Sequence, residues 1–153
     1  MPDYGIQGPD EGTGLLPWSW AEERLTASRN YWVNSLWPDG RPHSMPVWGV
    51  WDGHALWFSS GRRSRKARNL AADPRCVVTT EDATEPVIVE GAAQLTDERD
   101  EIERIASLMD AKYGGITAEF LAEHATIRVL PRWAFGIAHD DFTGSPTRWA
   151  WDG

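Results

Sequence analysis

Polar and apolar side chains alternate with a period of two through most of this chain, and the period lengthens to that of a helix in only a few stretches. Asn30 to Trp37 predicts a first strand, closed by a turn at Pro38-Asp39-Gly40. Pro42 to Trp51 predicts a second, with Val47, Gly49 and Trp51 on one face and Trp48 and Val50 on the other. Asp52-Gly53 is a strong hairpin signal and leads into a third strand over 54–60. Cys76 to Thr80 is another strand, 82–86 a loop, and Val87 to Thr96 an alternating strand with a bulge expected at Gly91. Two closing strands are expected over Thr126–Leu130 and Trp133–Ala138, divided by Pro131, and an edge strand over Thr147–Trp151 in an otherwise irregular tail.

The helical stretches are short. Ser19 to Glu22 reads as a capping box, opening a helix in which Trp20, Arg24 and Leu25 share a face. Ser64 caps a second helix, continued by Lys66, Ala67, Leu70 and Ala71 and stopped by Asp73-Pro74. Ile102, Ile105, Ala106 and Met109 recur at helical spacing behind Asp97, Glu98, Asp100 and Glu101. Those acids lie at the positive end of that helix's dipole, and Gly114-Gly115 ends it after Tyr113, its last apolar contact. Thr117 caps a final short helix through about His124. Residues 1–17 are rich in Gly, Pro and Asp and read as a flexible arm that packs on a partner near Leu15 to Trp18, and 18–153 reads as one domain. The pattern as a whole is α+β, mainly β, with hairpins closing a small barrel and short helices appended to it.

Charge changes the picture at one place. Arg62, Arg63, Arg65, Lys66 and Arg68 crowd the start of the helix capped by Ser64, in a chain whose net charge is −8. A helix start favours acids, by about 0.3–1 kcal/mol per charge, so these cations oppose the local dipole. A bound anion resolves the conflict: hydroxyls, free helix N–H groups and guanidinium forks together suit a phosphate. A solvated basic turn is the alternative reading.

The remaining composition sets bounds. A length of 153 residues is one domain, and no stretch of about 18 apolar residues is present to span a membrane. No signal peptide is visible and Cys76 is the one cysteine, so a buried packing role and a cytoplasmic location are expected. The acidic balance argues against nucleic acid as a partner. Ten Trp are too many for one small core, so some are expected to face a ligand or another subunit. His43, His54, His124 and His139 have no metal-ligand spacing with one another or with Cys76, so no metal site is expected.

The run Phe58 to Leu70, Phe-Ser-Ser-Gly-Arg-Arg-Ser-Arg-Lys-Ala-Arg-Asn-Leu, with Asp73-Pro74-Arg75 behind it, resembles the FMN-phosphate segment of the pyridoxamine 5′-phosphate oxidase-like split β-barrel family. Ser64-Arg65-Lys66 is its specific part, and the resemblance extends from about Trp20 to Trp149. It implies a six- to seven-stranded antiparallel split β-barrel, a homodimer and a cofactor site at the subunit interface. By the same resemblance Met45, Pro46, Val47 and Trp48 line the flavin ring, and Ser59 or Ser60, with Ser64, Arg65 and Lys66, holds the phosphate. One extra residue between the strand and the triplet leaves Ser59 against Ser60 open. Trp149 is similar to an aromatic that reaches the cofactor from one subunit or the other.

The tail departs from that pattern. It has no His after Arg148, and a Ser-Arg-Pro-type segment is missing, so the resemblance points away from pyridoxamine phosphate and toward the flavin/deazaflavin oxidoreductases. Those imply hydride transfer between coenzyme F420, or alternatively FMN, and a small organic acceptor. Arg62, Arg63 and Arg68 would then face the longer acidic tail of F420. An FMN-dependent oxidase or reductase and a non-catalytic flavin- or tetrapyrrole-binding module are the other functions the resemblance allows. No catalytic residue stands out, which suits chemistry carried by a cofactor.

Overall fold

The stretch expected as one long strand over 42–51 is two strands, β2 (Pro42–Val47) and β3 (Gly49–Trp51), parted at Trp48. In the computed structural model, which describes residues 2–152 and leaves Met1 of the arm and Gly153 of the tail outside the description, that break sets the architecture. The other strands are β1 (Tyr31–Leu36), β4 (Leu56–Ser60), β5 (Arg75–Thr80), β6 (Val87–Thr96), β7 (Ala125–Gly136) and β8 (Thr147–Ala150). Among the described residues they form one antiparallel sheet in the order β2-β1-β5-β6-β7-β4-β3, with β8 beside β7. The two ends of this order, β2 and β3, are joined in sequence by Trp48 alone. The sheet must therefore curl until its ends meet, which makes a barrel split along the outer edge of β2.

Two of the expected strands are one. β7 runs through Pro131 without stopping, because the register against β6 shifts between Glu90 and Gly91 and the proline falls at that irregularity. The close approach explains Gly91: a Cβ there would lie 2.3 Å from Leu130 O. The expected capping box is not formed. Helix α1 (Trp18–Ala27) starts after Pro17 with no side-chain cap, and Glu22 accepts a hydrogen bond from Trp51 Nε1 at 2.9 Å instead. The other two caps are present, Ser64 accepting from Ala67 N on α2 (Arg65–Ala72) and Thr117 from Phe120 N on α4 (Ala118–Glu123). Helix α3 (Arg99–Tyr113) precedes α4 in the excursion between β6 and β7.

Alternation along the strands sorts the core. Tyr31, Val33, Leu56, Phe58, Val78, Ile127 and Val129 fill the barrel, each fully buried and contributing about 1.5–3 kcal/mol by removal from water. Val50 and Trp57 point to the other face and pack under α3 and α4 against Ile102, Ile105, Met109 and Leu121. A third cluster seats α1 on β6 and β7 and collects Trp18, Trp20, Trp51 and Trp149. Trp57 alone of the tryptophans is fully buried. Cys76 is buried as expected, and burial pushes its thiol up to about 12. The arm lies on its own chain, with Gln7 N bonded to Thr143 O, Gly14 N to Gly144 O, and Asp10 paired with Arg148.

Lys112 joins α3 to the split. Its Nζ donates to Ser28 O at 2.5 Å and to Gly49 O and Tyr31 Oη at 2.9 Å each. Burial and the nearby Arg29 lower its pKa to about 8. At this side chain the unfolded chain therefore holds more protons than the fold between pH 8 and 10.5, and the contribution of Lys112 to stability rises with pH across that window. In thermal melts from about pH 7.5 to 9, burial of Cys76 lowers the midpoint with rising pH equally in both proteins, so the midpoint of the native chain is expected to gain on that of Lys112→Met as pH rises.

Candidate functional site

β2 ends the sheet, and its outer edge pairs with no strand among the described residues. Pro42 and Pro46 alternate with Met45 and Val47, so the ladder bonds to β1 fall on the residues that retain an N–H, and the proline positions face the open edge. That edge displays carbonyls and the single N–H of Ser44. Met45 is paired with Val33, so both side chains share the barrel's inner face, yet Val33 is buried and Met45 is 44% exposed. The wall of the barrel is open opposite Met45. Pro46 is exposed, Val47 is buried in the barrel core, and Trp48 is half exposed at the break.

The start of α2 is tied to the end of β4 and, through Trp37, to β2. Ser60 Oγ and Ser64 Oγ are 2.8 Å apart, joining the end of β4 to the helix cap. The first helical bond runs from Arg68 N to Ser64 O, which leaves the N–H groups of Arg65 and Lys66 without helical acceptors. Arg65 lies over the Trp37 ring at 4.0 Å and bonds Asn69, but its buried Nε has no partner. Trp37 in turn meets His43 of β2 edge-on at 5.9 Å, which links the helix start to the open strand. The other buried orphans among the described residues are His43 Nδ1 and Ser59 Oγ.

Among the described residues Arg63, Arg65, Lys66 and Arg68 make no ion pair with a carboxylate, and burial lowers the pKa of Lys66. Unpaired cations, free helix N–H groups and unpartnered buried polar atoms fit an anionic group, phosphate above all. Arg62 differs from its neighbours: it bonds Ala122 O at 3.1 Å and lies 3.6 Å from Asp97, so it faces α4.

Trp149 stands elsewhere in the chain. It pairs with Ala134 and packs against Trp18 with ring centroids 5.4 Å apart. Ser60 is opposite Ala125 on the same β7, so the two sites are separated by roughly 30 Å of strand.

Sequence reasoning missed the helical side of the site. A cleft of about 340 Å³ lies between Trp48, Ser59 to Gly61 and the residues Met109, Ile116, Phe120, Leu121 and His124. Tyr113 is not a plain apolar contact. Its ring stacks on Trp48, centroids 4.5 Å apart and planes 2° from parallel, and its hydroxyl accepts from Gly49 N at 2.9 Å and donates to Arg29 O at 2.7 Å. The pairing of a tyrosine with the chain's second lysine at the end of a helix was the available signal.

Residues 21–136 match the family model described as pyridoxamine 5′-phosphate oxidase. No curated protein matches the sequence. Among solved structures, conserved hypothetical protein Rv2991 from Mycobacterium tuberculosis is similar with a TM-score of 0.76 and 23% identity, over 86% of this chain and 91% of that one. An F420 reductase is similar at 0.60 and 22%, over 72% and 91%. HutZ, the heme storage protein from Vibrio cholerae, is similar at 0.63 and 17%, over 74% and 88%. At these identities the likeness is one of fold.

Proposed function

The chain belongs to the pyridoxamine 5′-phosphate oxidase family, and we propose that it is an oxidoreductase that holds coenzyme F420 and passes a hydride between it and a small organic acceptor. The observation that carries this reading is the start of α2, where Arg65 and Lys66 stand without carboxylate partners among the described residues. Lys66, Ser64 and Ser60 would hold the phosphate, with Arg65 backed by Trp37. The carbonyl-rich edge of β2 would meet N–H groups on the ring's edge, and Met45 and Trp48 would bound the ring. The bound group supplies the hydride chemistry, and the chain supplies orientation and charge. Arg63 and Arg68, exposed and without ion pairs among the described residues, favour a ligand with further anionic groups beyond one phosphate, and so F420 over FMN.

The outward face of the sheet carries Trp32, Val77, Ile88, Trp133 and Phe135, none of them buried. That apolar face suits a second copy of the chain, whereas Trp149, paired with Ala134 and packed on Trp18, lies on the opposite face of the sheet. Sedimentation is expected to give the dimer mass.

Titration of the purified protein's tryptophan emission with F420 and with FMN separates the alternatives. Quenching by F420 at far lower concentration supports the proposal. The reverse order makes this an FMN-dependent oxidase or reductase. Tight binding of either with no turnover on any acceptor makes it a binding module, and quenching by neither removes the cofactor reading.

A further inference from the structure

The cleft behind Trp48 differs in chemistry from the cationic turn beside it. Among the described residues no charged side chain lines it, and Trp48, Met109, Ile116, Phe120 and Leu121 make its walls apolar. Trp48 is a fixed wall, since Tyr113 stacks on it and is itself held by Gly49 and Arg29.

Two polar groups remain. Ser60 Oγ is engaged with Ser64, but Ser59 Oγ, on the alternate face of β4, is buried without a partner. His124 Nδ1 is 2.6 Å from Phe120 O. A carbonyl oxygen only accepts, so Nδ1 carries the hydrogen, and in the neutral ring Nε2 keeps its lone pair. Phe120 lies against the His124 ring at 4.3 Å and is 46% exposed, which places it at the rim. One hydroxyl and one imidazole nitrogen are too few for the polar edge of a flavin, which the free edge of β2 serves better.

We propose that this cleft binds a neutral, flat, largely apolar molecule whose polar edge carries a carbonyl for Ser59 and an adjacent N–H or O–H for His124 Nε2, and that such a molecule is the hydride acceptor. The second half rests on the function proposed above; the binding chemistry of the cleft does not. The class excludes carboxylates and phosphates at the Ser59 and His124 end of the cleft, where no counter-charge lines it among the described residues.

The test uses the full chain and 2-quinolone, a planar neutral lactam, followed by tryptophan quenching and calorimetry. N-methyl-2-quinolone lacks the N–H, and quinoline-2-carboxylate adds a negative charge. Native protein is expected to bind 2-quinolone at least tenfold tighter than either. Ile116→Trp, which fills the cleft from a half-buried position, should weaken 2-quinolone at least tenfold, and His124→Phe should erase its advantage over the N-methyl compound. Equal binding of the three probes, or indifference to Ile116→Trp in a variant with native circular dichroism, overturns the site. Lys66→Ala separates the two readings, since it should spare 2-quinolone while weakening cofactor. If cofactor and 2-quinolone exclude each other, the acceptor role fails and the cleft belongs to the cofactor itself.

Discussion

Replacing Arg65 and Lys66 together by alanine is expected to weaken cofactor binding by about a hundredfold or more, while the folded protein becomes slightly more stable. A hydrogen bond from a charged group contributes about 1.5–3 kcal/mol, so each cation lost from a phosphate costs roughly 10- to 150-fold in affinity. The same cations oppose the α2 dipole, and removing each returns about 0.3–1 kcal/mol to the unliganded fold. Opposite signs in binding and stability are the mark of residues kept for a ligand. Lys66→Ala is the cleaner single variant, because Arg65 also covers Trp37, at 4.0 Å. Calorimetric titration with F420 and FMN, beside urea unfolding without ligand, reads both effects. Unchanged affinity in the double variant sinks the assignment of the turn.

The largest loss of stability outside the barrel core is expected at Asp52, where alanine should cost about 3 kcal/mol. Its side chain is 6% exposed. The carboxylate accepts from His54 N at 2.9 Å, Ala55 N at 2.8 Å, Trp57 Nε1 at 2.8 Å and Arg104 Nη2 at 3.0 Å. Alanine strands the indole N–H of a buried tryptophan and the turn's amides, each costing about 1–3 kcal/mol when unpaired, with partial recovery by water. Burial opposes ionisation of Asp52, but the bonds from Ala55, His54, Trp57 and Arg104 outweigh it and hold its pKa below the usual carboxylate value. A carboxylate depressed in the fold stabilises it above the unfolded pKa, and that contribution is lost as pH falls through the folded one. The urea midpoint at pH 7 should drop in Asp52→Ala with its slope unchanged, and the gap to the native chain should close toward pH 3.

Asp52 also shows how far the sequence could be read. Asp52-Gly53 between two alternating runs announced the hairpin from local chemistry alone, as Ser64 and Thr117 announced their caps and Gly91 its bulge. That Asp52 also binds Arg104 depends on α3 crossing the back of β4, and no local spacing encodes it. The strand break at Trp48 escaped notice for a related reason. The alternation of Val47, Gly49 and Trp51 continues across the break, so the period is intact where the pairing partner changes from β1 to β4. Pro131 misled in the other direction, since a proline at a bulge interrupts the pattern without ending the strand. The cationic turn was legible because its charges contradict the helix they sit on. His124 and Ile116 were not, because they come to Ser59 only through the packing of an excursion more than fifty residues away in sequence.

The open edge of β2 bears on how the protein behaves at high concentration. An unpaired strand beside a gap in a barrel is a template on which another chain can extend the sheet. Pro42 and Pro46 remove two of the three donors that an incoming strand would need along that edge, and the continuous ladder that aggregation requires cannot form there. The same two residues leave every carbonyl in place for a small ring. The wall proposed to admit a ligand is thereby closed to a fibril.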